Sequence, residues 1–365
     1  MRQVAMKRIL QLFKMFESSA LARLEPFLPR LFDTILNPRI NKLPTQYTQS
    51  TTSSSLLDII VCMGEGLNEG DLLMILTKWS PGLWKNAVEA FSSDSTKPLI
   101  LSQLLSFFEG VICSGSGSSK RTITSTTSSS DELLKAIVVP GMAPLLDAFD
   151  SKLKKKTALA DPRMIFRIVA LVQTLAPHVS SSETAARLCK TFEALLRIRT
   201  VNESIRTHLI TALIDLVRTS NNYDSSIILD SYSFFEIVST QWNVMKSRPG
   251  RDALCRLFDC FADLERERLP DLGFISGVLR DLNSWLPGKI SEPDFDLRLA
   301  AFARLRRAID GDTFDGNTPN LLVALYTPIA HLMVYSLNDR DELSIRNQSF
   351  GVLKALITRI KLLDQ

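Results

Sequence analysis

His178, His208 and His331 are the three imidazoles in 365 residues, and none stands at catalytic spacing from an acidic or thiol residue. A nucleophile or general base needs such a partner to hold its tautomer or take its proton. Each therefore reads as a surface or half-buried helix residue. Gly64-Glu-Gly66-Leu-Asn-Glu-Gly70 approaches a dinucleotide fingerprint, but it is one residue too long and follows no β-rich segment, so it reads as a turn. Asp310-Gly-Asp312-Thr-Phe-Asp315-Gly316-Asn317 invites a calcium loop. It fails where Phe314 and Asp315 occupy positions five and six and Leu321 replaces the closing Glu. Cys62, Cys113, Cys189, Cys255 and Cys260 are odd in number, widely spread and mostly set in apolar runs. That pattern suits reduced core thiols of an intracellular protein rather than a disulfide frame or a zinc site. The reading is no enzyme, no cofactor and no metal.

One cluster does offer chemistry, of a non-covalent kind. Lys152 to Arg218 carries 12 Lys and Arg against 5 Asp and Glu, a local +7 in a chain of +4, leaving −3 for the remainder. Lys152, Lys154, Lys155 and Lys156 read as a loop ahead of an Asp161-Pro162 helix start, with Arg163 and Arg167 following. Such a group can contact RNA phosphates, since each neutralised phosphate releases counterions. The other reading is a solvated lysine loop. No aromatic-interleaved RNA motif accompanies it, so nothing here reads sequence.

The elements that position these residues are helices. Ser291-Glu-Pro-Asp-Phe-Asp-Leu-Arg ends a loop and starts a helix, with Ser291, Asp294 or Asp296 as its cap and Pro293 and Asp294 suited to its first turn. Leu297, Ala301, Leu305 and Ala308 then form a narrow apolar stripe edged by Arg298. The same offsets recur at Ile345-Arg346, Ile205-Arg206 and Met1-Arg2, partially at Phe166-Arg167, and in degraded form at Gly250-Arg251. The clearer starts, 166, 205, 250, 297 and 345, are 39, 45, 47 and 48 residues apart. That period predicts an all-α α-solenoid of HEAT-like helical hairpin repeats, with Arg2, Arg167, Arg206, Arg298 and Arg346 as structural repeat arginines.

Residues 1–365 are expected to form one such solenoid segment, since 45% hydrophobic and 22% charged residues suffice for a core that grows by stacking. Low-complexity loops are predicted at 44–55 and 114–130, and Glu265-Arg-Glu-Arg268 as a charged helix end. Leu72, Ile75, Leu76 and Trp79 share one face. The apolar run Leu321 to Tyr335 is too short to span a bilayer. If Met1 to Leu12 is the second helix of a hairpin whose first is missing, the sequence is a piece of a longer array.

Asp281-Leu-Asn-Ser-Trp285, a Pro-Gly-Lys turn, and Ser291-Glu-Pro-Asp-Phe-Asp-Leu-Arg-Leu-Ala-Ala-Phe302 resemble a family of very large HEAT-repeat proteins of the U3 small nucleolar ribonucleoprotein, the down-regulated-in-metastasis family. The likeness is strongest over 281–305. It implies a nucleolar scaffold of the small-subunit processome that supports pre-rRNA cleavages leading to 18S RNA. Pre-ribosomal proteins, and pre-rRNA or U3 RNA, would be its partners, with neither membrane nor small-molecule substrate. A nuclear transport receptor or a phosphatase or kinase scaffold of the same architecture, binding protein only, is the alternative.

Overall fold

The computed structural model describes residues 2–47, 55–113, 132–155, 161–219, 232–267, 269–289, 292–311, 313–314, 319–339 and 342–363. Among these the chain is helical throughout, and its one β-type feature is an isolated bridge between Trp285 and Pro293. The fold is all-α, built as stacked helices in two units, Met1–His178 and Val179–Gln365.

In the first unit, α1 (Arg2–Phe16), α2 (Ser55–Gly66), α4 (Pro98–Cys113) and α6 (Pro162–Leu175) pack one on the next as a row. A second row runs from the short helical turns of residues 28–47 to α3 (Leu83–Ser92) and then α5 (Met142–Leu153). Aromatic rings fill the space between rows. Phe91 meets Phe108 at 5.7 Å and Phe149 at 5.5 Å, both edge-on, the arrangement that the ring quadrupoles favour. Leu72, Ile75 and Leu76 are buried, and Trp79 stacks on Phe32 at 6.1 Å.

The expected turn at Gly64 to Gly70 is only partly one. Gly64 and Gly66 lie in the last turn of α2, and Asn68 caps the next helix by accepting from Asp71 N at 2.8 Å. Gly64 belongs instead to a helix crossing. A Cβ placed on Gly110 of α4 would lie 2.5 Å from the Gly64 carbonyl carbon and 2.6 Å from its oxygen. Backbones can come this close only where Gly110 carries no side chain. Of the two predicted loops, 44–47 instead completes a helical turn after buried Leu43, and Ser55 opens α2. Residues 48–54 and 114–130 lie outside the described residues.

In the second unit, α7 (Ser182–Arg197) pairs with α8 (Glu203–Thr219), followed by α9 (Tyr232–Val244), α10 (Arg248–Leu264), α11 (Asp271–Leu282), α12 (Phe295–Asp310), α13 (Pro319–Ser336) and α14 (Leu343–Leu363). Successive hairpins touch through α8 on α10 and α12 on α14 in one row, and α7 on α9 in the other. One departure breaks the alternation: α9 packs directly on α13, and α11 wedges between α10 and α12. α13 can serve both sides because the run Leu321 to Tyr335 is apolar nearly all round. No helix among the described residues is long and apolar enough to cross a membrane.

Starts are capped as side-chain chemistry dictates. Asp161, Ser181, Ser247 and Asp294 each accept a backbone N–H from the first turn of α6, α7, α10 and α12. Asp294 is thus the cap of α12. Asp296 lies inside the helix, Pro293 precedes it, and Ser291 is outside the described residues. The stripe shifts correspondingly: Ala301, Phe302, Leu305, Ala308 and Ile309 are buried, whereas Leu297 is 40% exposed on the first turn. Glu265, at the expected charged helix end, is buried.

Candidate functional site

Among the described residues, the cations with most bonds to backbone carbonyls are arginines of the second unit. Arg206, on the first turn of α8, donates through Nε to Val201 O at 3.0 Å, through one terminal nitrogen to Leu196 O at 2.8 Å, and through the other to Ile198 O at 2.6 Å. These are carbonyls at the end of α7 and just beyond, which a helix terminus otherwise leaves without donors. The nitrogen that meets Leu196 also reaches Gln241 Oε1 on α9, in the next hairpin, at 2.6 Å.

Arg251 repeats the arrangement one hairpin on. It donates to Met245 O at 2.7 Å and Trp242 O at 2.8 Å, closing the end of α9, and to Asn283 Oδ1 beyond α11 at 3.1 Å. Its guanidinium lies 3.8 Å from the Tyr335 ring centre and 5.6 Å from that of Trp242. Arg298 follows, with two bonds to Ser284 O at 3.1 and 2.9 Å and the Trp285 ring at 5.1 Å. Adjacent residues thus feed successive arginines. Gln241 serves Arg206 and Trp242 serves Arg251; Asn283 serves Arg251 and Ser284 serves Arg298.

Burial disfavours the charged form of all three, lowering their pKa values, that of Arg251 to about 10. They remain cationic at neutral pH, and the planar five-donor head suits several fixed acceptors at once. Arg251 is the degraded match in the sequence pattern, yet it is buried as deeply as Arg206 and holds three acceptors. Its preceding residue is Gly250, where a Cβ would lie 2.6 Å from Met245 Cε and 3.0 Å from Glu203 Oε1, so that a larger residue there requires those two side-chain ends to shift.

The remaining repeat arginines differ. Arg167 on α6 binds side chains of the preceding row helix: both oxygens of Glu109 at 2.7 Å, Ser102 Oγ at 2.9 Å and Ser106 Oγ at 2.8 Å. The Nε of Arg346 is buried with no acceptor among the described residues. The side chain of Arg2 lies outside the described residues.

The lysine cluster requires a correction. Lys152 is not in a loop: it stands on the last turn of α5, is 5% exposed, and donates from Nζ to Ser93 O at 2.7 Å, with the Phe91 ring centre at 5.9 Å. Burial lowers its pKa. Leu145, Phe149 and Lys152 fall at offsets 0, 4 and 7, so the apolar face of α5 carries Lys152 inward. Lys154 pairs with Asp150 at 2.6 Å and Lys155 with Asp94; Arg163 is exposed on the first turn of α6. Lys156 lies outside the described residues.

Burial lowers the pKa of both His208 and His331 by disfavouring the charged imidazolium. No group of His, Cys, Asp and Glu among the described residues could hold a metal ion. Asp312 and Asp315 of the rejected calcium loop lie outside them. A groove of about 820 Å³, open to solvent, runs between α1, α2 and α4 past Lys14, Asp58, Glu65 and Gln103.

Helices stacked in rows, with arginines bonded to backbone at hairpin ends, define a helical-repeat solenoid protein. Comparison with known proteins narrows this class. The family described as U3 small nucleolar RNA-associated protein 20, N-terminal, matches residues 1–364. The chain belongs to that family, the one that residues 281–305 resemble. The U3 small nucleolar RNA-associated protein 20 of Schizosaccharomyces pombe is 21% identical over 368 residues, a match that spans 100% of this chain and 14% of that relative.

Proposed function

We propose that this chain is a non-catalytic scaffold segment that works in the nucleolus, within the small-subunit processome, where it supports pre-rRNA processing to 18S rRNA and assembly of the small ribosomal subunit. The observation that carries this reading is the family match over residues 1–364, a family named for association with U3 small nucleolar RNA. The disposition of polar groups supports the non-catalytic part. Arg206, Arg251 and Lys152 are buried and donate to carbonyls of the protein itself, so their charge maintains shape.

The partners in this reading are pre-ribosomal proteins, with pre-rRNA or U3 RNA met through phosphate. The cations available for that contact are Lys154, Lys155 and Arg163, with Lys156 adjacent in sequence and Lys152 turned inward. Phosphate contacts of this kind position an RNA without reading its sequence. The test is to deplete the gene product in cells and probe rRNA precursors. Loss of 18S rRNA with the large-subunit rRNA spared is expected. Unchanged 18S production, or equal loss of both, would rule the reading out.

A further inference from the structure

We propose that the seam where residues 37–47 meet residues 75–86 is a docking strip for an RNA phosphate backbone; this rests on the reading of the chain as an RNA-contacting scaffold and gives that contact a surface apart from Lys154 and Lys155. Hydrogen bonds fix the seam. Asn37 Nδ2 donates to Trp79 O at 2.8 Å, Ser80 Oγ donates to Asn37 Oδ1 at 2.8 Å, and Asn86 Nδ2 reaches Asn41 Oδ1 at 3.4 Å. Three of the residues so bonded have a lysine beside them in sequence: Lys42 follows Asn41, Lys78 precedes Trp79 and Lys85 precedes Asn86. All three lysines are exposed. With Arg39 they make four cations in two stretches, 37–47 and 75–86, that contain no Asp or Glu.

These charges are little compensated within the protein. Lys42 and Lys78 have no ion-pair partner among the described residues, and Lys78 Nζ lies instead 5.1 Å from the centre of the Trp79 ring. Arg39 donates to Ile35 O at 2.8 Å, a neutral acceptor. Lys85 meets only Glu89, at 3.9 Å with side chains 79% and 49% exposed, a contact that solvent leaves weak. The surface between the charges selects the occupant. A protein partner needs apolar anchors at the centre of its contact, yet the exposed residues of the two stretches are Lys, Asn, Thr and Pro. Phosphate oxygens require only cations and N–H donors, and the amide nitrogen of exposed Asn41 has no acceptor among the described residues. The groove between α1, α2 and α4 has the opposite sign, Glu17, Asp58 and Glu65 against Lys14, and so turns a polyanion away.

The probe is a short labelled single-stranded RNA of mixed sequence, titrated against the chain across a salt series. Lys42→Gln, Lys78→Gln and Lys85→Gln combined should weaken binding about tenfold or more at low salt and reduce the salt slope by about two, at about 0.7 per phosphate contact. Arg at the same three positions should retain binding. Lysine acylation of the unsubstituted chain, read by mass spectrometry, maps the contact without any substitution: RNA should shield Lys42, Lys78 and Lys85 and leave Lys14 reactive. Equal acylation of the three lysines with and without RNA overturns the proposal, whether or not the Gln variant folds. Binding that falls with Lys154→Ala and Lys155→Ala but not with the Gln variant overturns the seam and leaves the RNA-contacting reading in place. No binding by the unsubstituted chain at low salt removes the RNA contact and the seam together, while the 18S depletion test still decides the scaffold reading. Poly-glutamate that displaces the RNA at equal charge assigns the seam to an acidic protein and also overturns it.

Discussion

Gly110 of α4 crosses Gly64 of α2 at a distance that admits no side chain on Gly110, whose added Cβ would meet the Gly64 carbonyl carbon at 2.5 Å. Rigid backbone is what it would strike, so the helices must separate. Gly110→Ala should lower stability by about 1–3 kcal/mol despite the better helix propensity of Ala. Gly273 on α11 has nothing within 4 Å of an added Cβ, and Gly273→Ala should be neutral or stabilise by up to about 1 kcal/mol. Urea denaturation of the two variants compares them directly.

Arg251 holds three acceptors that no solvent can reach once it is gone. Arg251→Ala should cost about 2–4 kcal/mol, because the Met245 and Trp242 carbonyls and the Asn283 amide oxygen are left without their donor. Arg251→Lys should rescue little, since an ammonium does not reproduce the planar fork. Arg167 is half-buried with a side-chain exposure of 23%, and Arg167→Ala should cost about 1 kcal/mol or less after solvent screening. Thermal melts that rank Arg167→Ala above Arg251→Ala in damage would contradict this ordering.

Lysines that are adjacent in sequence should separate by phenotype. Lys154→Ala with Lys155→Ala should weaken RNA binding and flatten its salt dependence by about one to two contacts while leaving the melting temperature nearly unchanged. Lys152→Ala should instead lower the melting temperature, because the Ser93 carbonyl loses its donor and the Phe91 ring its cation. Filter binding across a salt series, paired with melts, reads both.

Alkali should destabilise the chain through its buried thiols. Burial raises the pKa of Cys255 to about 12 and also raises those of Cys62, Cys113 and Cys260. Above the unfolded thiol value of about 8.5 the unfolded chain binds fewer protons than the folded one, so stability falls as pH rises. Between pH 9 and 10 the four thiols act together, and Cys255→Ser serves as the control because the lowered pKa values of Lys152 and Arg251 act with the opposite sign. Cys255→Ser should flatten the slope there by up to about one proton. A Cys255→Ser slope equal to that of the unsubstituted chain across that window would refute it.

Much of this architecture was legible because a hairpin repeat leaves its period in the sequence. The positions of Arg167, Arg206 and Arg298 recur with their apolar offsets, and the helices fall where those offsets place them. What the arginines touch was not legible, since Val201, Trp242 and Ser284 act through backbone oxygens that every residue possesses. Arg251 is the least legible of them because Gly250 stands where the pattern has an apolar residue. Lys152 was placed in a loop because a lysine run suggests solvent, although its spacing from Leu145 and Phe149 continued the apolar face. α2 and α4 carry no arginine of the pattern and yet complete the same row as α1 and α6, so the first unit was read only as apolar segments. The Gly64 and Gly110 crossing joins positions that no local pattern relates.

The sharing of adjacent residues between successive arginines has a mechanical consequence. When the hairpin that contains Gln241 and Trp242 is pulled out of place, Arg206 loses an acceptor on one side and Arg251 loses one on the other. Asn283 and Ser284 pass the disturbance on to Arg298 in the same way. Under tension from its ends, the second unit should therefore hold to a single threshold and then yield in one rupture, where a stack of independent hairpins would lengthen by regular steps.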